Sequence, residues 1–213
     1  MANEKTSVLV VDDHRIVFSG IQLIFSSNKL DFLTQNCRNG DECIEILRKT
    51  KYDLIILDVN LPDTDTYSLM DLILKINPEQ KILIFSMSSE EMYAKRFLKL
   101  GALGFVSKQA SNDEFVLAVK KVLNGELYLS KNVTKMLTTD ALFPKNNNVF
   151  DKLSAREFEI MSYFLQGHGS KEISNFTNLH SSTIGTYKFK IFEKLNIKSI
   201  IELRELAAVY DIK

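Results

Sequence analysis

Leu54-Ile55-Ile56-Leu57-Asp58-Val59-Asn60-Leu61-Pro62 is the stretch whose reading decides the fold. Four consecutive apolar residues between polar ones suit a strand buried on both faces, as in a parallel sheet covered by helices. Asp58 then stands at the carboxyl end of that strand. Ligands of open α/β sheets bind along that edge.

Working upstream, Val8-Leu9-Val10-Val11 is a similar run that ends in Asp12-Asp13-His14, after which Ile16, Phe18, Ile21, Ile24 and Phe25 recur at helical spacing. Phe32-Leu33 marks a weaker strand, followed by an amphipathic segment with Cys43, Ile44, Ile46 and Leu47. Downstream, Tyr67, Leu69-Met70, Ile73-Leu74 and Ile76 form a helical stripe closed by Asn77-Pro78. Ile82-Leu83-Ile84-Phe85 is a fourth strand ending in Ser86, and Gly104-Phe105-Val106 a fifth ending at Ser107-Lys108. Ser111-x-x-Glu114 reads as a capping box opening a helix with Phe115, Ala118, Val119 and Val122 on one face. The alternation predicts an α/β fold: a doubly wound five-stranded parallel sheet with helices on both sides. Its carboxyl edge would collect carboxylates, a hydroxyl and a lysine.

Past Tyr128-Leu129-Ser130 the pattern loosens, and Lys145-Asn146-Asn147-Asn148 is polar and aperiodic, so 131–150 reads as a linker that starts with a short helix. Ser154-x-x-Glu157 is a second capping box, with Phe158, Ile160-Met161 and Phe164-Leu165 behind it. Gly167 and Gly169 end that helix. Lys171 to Phe176 is a short helix, Thr177-Asn178-Leu179-His180 a turn, Ser181 to Leu195 a longer helix, and Ile200 to Tyr210 the last. The expected architecture is a small all-α, four-helix domain over 151–213 containing a helix-turn-helix, preceded by an α/β domain over 1–130.

Composition fits a soluble globular protein, with 45% hydrophobic residues and zero formal net charge. Residues 1–130 carry 15 Lys+Arg against 18 Asp+Glu, and residues 131–213 carry 12 against 9. That asymmetry suggests two domains with different partners. No apolar run approaches the roughly 20 residues of a membrane span, and Met1-Ala2-Asn3-Glu4-Lys5 lacks signal-peptide character, so a cytoplasmic protein is expected. Cys37 and Cys43 have no second pair or neighbouring histidine and read as buried free thiols.

Three carboxylates gathered at one edge repel one another unless a cation neutralises them. A hard divalent ion such as Mg²⁺ suits carboxylate, carbonyl and phosphoryl oxygens. Asp58 could then attack phosphorus and carry an aspartyl-phosphate, with Lys108 and the Ser86 hydroxyl binding the phosphoryl oxygens. Because hard Mg²⁺ prefers oxygen, His14 is not expected among the ligands.

Asp12-Asp13-His14, Asp58-x-x-x-Pro62, Phe85-Ser86 and Gly101-Ala102-x-Gly104-Phe105-x-x-Lys108 resemble the receiver domain of two-component response regulators. Leu153-Ser154-x-Arg156-Glu157, Lys171-Glu172-Ile173 and Ser182-Thr183-Ile184 resemble the LuxR-type helix-turn-helix. Together they are similar to the NarL/FixJ class over nearly the whole chain. The resemblance implies that a sensor histidine kinase phosphorylates Asp58, that Asp12, Asp13, Asp58 and the Asn60 carbonyl hold Mg²⁺, and that Ser86 and Phe105 form a switch pair. Where receivers usually carry glycine, eight residues past the acceptor, this chain has Thr66, read as a cap of the following helix. Gln109 replaces a common proline, which argues against a cis peptide. Met87 is bulkier than usual beside the switch serine and would narrow access to the phosphoryl group.

On the helix from Ser181, Ile184, Tyr187, Ile191 and Leu195 share one face and should pack inward. Ser182, Thr183, Gly185, Thr186, Lys188, Phe189, Lys190 and Lys194 are the expected DNA contacts: Thr186 and Phe189 to thymine methyls, the lysines to phosphate. Two such modules in a homodimer would bind double-stranded DNA better than one. Ile200, Leu203, Ala207 and Tyr210 form a closing stripe that is either core or dimer contact, and the resemblance implies the latter. The expected function is a transcription regulator switched by phosphate from a kinase or small phosphodonor, not a turnover enzyme. A phosphatase with an aspartyl-phosphate intermediate is disfavoured because Asn60 stands where such enzymes place a carboxylate. A nucleotide-binding module is disfavoured by the acidic, glycine-free first loop. A regulator of the same fold that acts without phosphorylation is the remaining alternative.

Overall fold

The computed structural model describes residues 5–62, 64–88, 90–142, 149–177, 179–210 and 212. The polar run Lys145 to Asn148 and Asn178 of the expected turn lie outside the described residues. Two compact units divide the chain, 1–139 and 140–213.

In the first unit, strands β1 (Ser7–Val11), β2 (Leu33–Cys37), β3 (Leu54–Leu57), β4 (Ile82–Ser86) and β5 (Gly104–Ser107) alternate with helices α1 (Arg15–Ser27), α2 (Gly40–Leu47), α3 (Thr66–Ile76), α4 (Glu90–Lys99) and α5 (Asn112–Leu123). The sheet is wholly parallel in the order β2-β1-β3-β4-β5. All four residues of β3 are buried, as expected for a central strand covered on both faces. Val8 and Val10 of β1 pack with Ile21 and Phe25 of α1 and with Phe115, Ala118, Val119 and Val122 of α5. Side chains alternate along a strand, so Leu9 and Val11, equally buried, serve the opposite layer. Cys37 and Cys43 are free thiols and fully buried. The order of strands reverses between β1 and β3, which is where such sheets open a crevice at their carboxyl edge.

The Ser111 hydroxyl caps α5 by accepting from the Glu114 amide at 3.2 Å. Its box is only half formed. The Glu114 carboxylate accepts instead from the Tyr128 hydroxyl at 2.7 Å, tying α5 to the segment after it. Helix α6 (Lys131–Leu142) begins there, with Ser130 Oγ accepting from the Val133 amide.

The second unit opens with a turn of 3₁₀ helix, Val149–Lys152, followed by α7 (Ala155–Leu165), α8 (Ser170–Thr177), α9 (Ser181–Leu195) and α10 (Ile200–Val209). Its core includes Phe150, Leu153, Phe158, Ile160, Met161, Phe164, Ile173, Ile184, Ile191 and Leu203. Gly167 closes α7 at φ +96°, a left-handed conformation that suits glycine. Arg156 is buried; it donates to Glu159 and, at 3.1 Å, to the carbonyl of Thr177 at the end of α8. That bond anchors the entry to the turn before α9. The closing stripe corrects one expectation from the sequence: Leu203 and Ala207 are core of this unit, and Tyr210 meets Phe150 edge-on with ring centroids 5.7 Å apart. The large exposed apolar residues of α10 are Ile201 and Val209 instead.

The capping box of α7 is complete. Ser154 Oγ accepts from the Glu157 amide at 3.2 Å, and Glu157 accepts from the Ser154 amide and from Lys194 Nζ at 2.7 and 2.6 Å. Burial acts to raise the Glu157 pKa, but the bonds from Lys194 and Ser154 prevail and hold it below the usual carboxylate range. A carboxyl depressed in this way stabilises the fold above the ordinary carboxylate range and loses that contribution as pH falls through its folded pKa. Ser154→Ala should cost the second unit about 1 kcal/mol, read by hydrogen exchange of α7 amides in the whole protein. Glu157→Gln should show its deficit at neutral pH and converge with the parent in acid.

Candidate functional site

The strand register assembles the site. Val11 pairs with Leu57, so Asp12 and Asp58 follow side by side, and the Asp58 amide donates to the Val11 carbonyl at 3.0 Å. Ser86 pairs with Ser107, and the Lys108 amide donates to the Ser86 carbonyl at 2.9 Å. From the far side, Lys108 Nζ reaches 2.6 Å from Asp12 Oδ2 and 2.7 Å from Asp58 Oδ2. Asp12, Asp58 and Ser86 are all buried.

Burial pushes the Asp58 carboxyl above its usual range, and the Lys108 ammonium opposes this without cancelling it. For Lys108, burial works against the charge, but the Asp58 charge and bonds to Asp12 and Asp58 prevail and raise its pKa. Both directions fit a site with more negative than positive charge. One atom from each of Asp12, Asp13, His14 and Asp58 lies within 4.8 Å of the others. Asp13 Oδ1 is buried with no hydrogen-bond donor aligned on it among the described residues; His14 Nδ1 lies 2.8 Å away. An acidic pocket with an unsatisfied oxygen and one lysine for three carboxylates fits a hard divalent cation.

The expected residues occupy distinct places around this pocket. The Asn60 amide faces Asp58 Oδ1 at 3.3 Å, while its side chain donates to Ser88 Oγ at 3.1 Å. Ser88 in turn contacts Ser86 Oγ through its amide at 3.3 Å. Ser88 and Glu90 belong to no motif legible in the sequence; Glu90 accepts from the Ser107 amide at 3.2 Å and from Ser130 Oγ at 2.5 Å. The only sequence signal was a polar cluster straight after β4. Phe105 is fully buried, with Phe97 at a centroid distance of 6.3 Å. Met87 is 58% exposed beside the site. There is no cis peptide among the described residues.

Thr66 is a correction. The cap of α3 is Asp65, whose carboxylate accepts from the Tyr67 amide and the Ser68 hydroxyl. Thr66 is the first residue of the helix, and its hydroxyl donates to the Val59 carbonyl at 2.6 Å. Thr64 holds the same loop by accepting from the Gly40 amide and donating to the Pro62 carbonyl, each at 3.0 Å.

In the second unit, α8 and α9 form the helix-turn-helix. Ile184, Ile191 and Leu195 are buried and Tyr187 half-buried, leaving Ser182, Gly185, Thr186, Phe189 and Lys190 exposed and Thr183 partly so. Phe189 is 69% exposed, an unusual degree for a ring of that size. Two expected phosphate contacts are engaged within the unit. Lys188 Nζ lies 5.6 and 5.5 Å from the ring centroids of Phe164 and Phe192, and Lys194 pairs with Glu157. The reason is helical spacing: Lys188 falls four residues after Ile184 and Lys194 three after Ile191, at the border of the buried stripe.

Comparisons with known proteins agree with both halves. Residues 8–120 match the response regulator receiver domain and residues 151–207 the bacterial regulatory proteins of the luxR family. The chain is 33% identical over 206 residues to the Fimbriae Z protein of Salmonella typhimurium, covering 97% of this chain and 98% of that one. It is 31% identical over 201 residues to response regulator GacA of Pseudomonas aeruginosa, covering 94% of each. A structure of RcsB from Salmonella enterica serovar Typhimurium, bound to promoter DNA in the presence of a phosphomimetic, shares the fold at a TM-score of 0.64 with 23% identity, over 97% of this chain and 100% of that one. The chain belongs to the two-component response regulators of the NarL/FixJ class, a receiver domain followed by a LuxR-type helix-turn-helix.

Proposed function

We propose that this chain is a DNA-binding transcription regulator controlled by a phosphoryl group on Asp58, donated by a sensor histidine kinase or a small phosphodonor. The observation that carries the reading is Lys108 bridging Asp12 and Asp58 from a third strand end, a buried array that costs desolvation and like-charge repulsion. The domains are a receiver over 1–130, a linker over 131–150 and a DNA-binding domain over 151–213. No helix among the described residues is long and apolar enough to cross a membrane, and the protein acts in the cytoplasm, where the kinase's phosphoryl donor and the DNA are.

In the transfer, an Asp58 carboxylate oxygen bonds to phosphorus while the donor's P–N or P–O bond breaks, its electron pair leaving with the donor atom. Asp12, Asp13, Asp58 and the Asn60 carbonyl would hold Mg²⁺, which when bound offsets charge on the phosphoryl oxygens. Lys108 exchanges its contact with the carboxylate for one with the phosphoryl group, and the Ser86 hydroxyl donates to another phosphoryl oxygen. Movement of Ser86 toward the new charge frees space for Phe105, so the two act as a switch. To convert a mostly inactive population into a mostly active one, phosphorylation must favour the active state by about 5.5 kcal/mol. The active form pairs as a homodimer and offers two α9 helices to half-sites about one DNA turn apart. The chain holds and loses its own phosphoryl group and is not a turnover enzyme.

Asp58→Asn should remove the single phosphoryl mass gained with acetyl phosphate and Mg²⁺ while leaving the melting curve cooperative; labelling that persists in this variant would move the acceptor elsewhere. On DNA, Lys190→Ala should weaken binding to all sequences and lower the salt slope by about 1 per protomer. Lys188→Ala should instead lower the stability of the second unit and leave the slope unchanged, as read by titration at several salt concentrations.

A further inference from the structure

One peptide group joins Val59 to Asn60, and it is held at both ends. Its carbonyl accepts the Thr66 hydroxyl at 2.6 Å, and its N–H faces Asp58 Oδ1 at 3.3 Å. Thr66 is 4% exposed, so water does not compete for the inner bond. The hydroxyl is carried on the first turn of α3, which Leu69, Met70 and Ile73 bury against the fold. We infer that Thr66 is a positioning residue for phosphoryl uptake: its hydroxyl holds the Val59–Asn60 peptide with its N–H toward the Asp58 carboxylate and toward the phosphoryl group that joins it.

Donation to an amide carbonyl polarises the amide and strengthens its N–H as a donor. A donor fixed in advance of the charge it meets costs no reorganisation during the reaction. The opposite orientation of this peptide would turn the Val59 carbonyl oxygen toward a carboxylate that already repels Asp12. A glycine at this position offers no hydroxyl, so a receiver with glycine here must hold the same peptide by other means. In this chain the neighbouring Thr64 bonds restrain the loop from its other end, and Tyr67, packed on Phe97 at a centroid distance of 4.4 Å, keeps the start of α3 in place.

This inference rests on Asp58 being the phosphoacceptor. Its test uses the full-length protein and Thr66→Val, which keeps the shape and removes the hydroxyl, beside Thr66→Ser, which keeps the hydroxyl. Two readouts are taken: the initial rate of mass gain with acetyl phosphate and Mg²⁺, and the amide ¹H–¹⁵N shift of Asn60 with no donor or metal present. Removing a whole preorganised donor slows enzymes by about 100-fold or more, so a donor that is only released from alignment should cost Thr66→Val roughly 10-fold, with the Asn60 shift displaced. Thr66→Ser should stay within about twofold of the parent on that same scale, its Asn60 signal unmoved. A parental rate and shift in Thr66→Val, or an equal loss in Thr66→Ser, overturns the inference. If Thr66→Val does not fold, Thr66→Gly replaces it, and an unmoved Asn60 signal in that variant overturns the inference equally. Absence of mass gain in the parent would instead remove Asp58 as acceptor, while the Asn60 shifts still decide whether Thr66 orients the peptide.

Discussion

The parallel pairing of β1 with β3 places Asp12 and Asp58 beside each other in a buried site, where two ionised carboxylates repel with little water to screen them. Lys108, delivered from the end of β5, offsets part of that repulsion. The hydrophobic sheet sustains this arrangement because the backbone hydrogen bonds of four strands, β1, β3, β4 and β5, fix where each strand ends, whatever the charges prefer. With one lysine beside these carboxylates, the site carries more negative than positive charge. A hard cation placed among these carboxylates would offset the repulsion built into the fold.

Around this centre the polar groups are linked in short chains. Asn60, Ser88 and Ser86 connect the loops after β3 and β4, and Glu90 joins the amide of Ser107 to the hydroxyl that caps α6. The second route connects the neighbourhood of Lys108 with the helix that leaves the receiver. Glu90 thus shares hydrogen bonds with the β5 end and with the Ser130 hydroxyl that accepts from the Val133 amide in α6.

The second unit divides the side chains of α9 between stability and recognition. Lysines next to the buried stripe lie across aromatic rings or pair with the Glu157 that closes the α7 capping box. Lys190 and Phe189, turned away from that stripe, remain exposed. The formal positive charge of the helix therefore overstates the charge it leaves free of partners within the unit, and its exposed face carries the Phe189 ring and small polar residues.

The sequence by itself determined the elements and the edge chemistry. Strand and helix periodicity are local, so the apolar runs, the charged residues that end them, the Ser154-Glu157 box and the inward face of α9 could all be read from spacing. Membership of Asp12, Asp58, Ser86 and Lys108 in one site followed, because a parallel sheet brings all its carboxyl ends to one side. Only the tertiary structure decided the partners. Glu114 could have closed its own cap and instead binds Tyr128; Thr66 could have capped α3 and instead binds Val59; Lys194 could have faced DNA and instead binds Glu157. In each case a polar group has several satisfactory bonds of similar strength, and the choice among them depends on which group packing brings within about 3 Å. Sequence spacing carries the first kind of information and not the second.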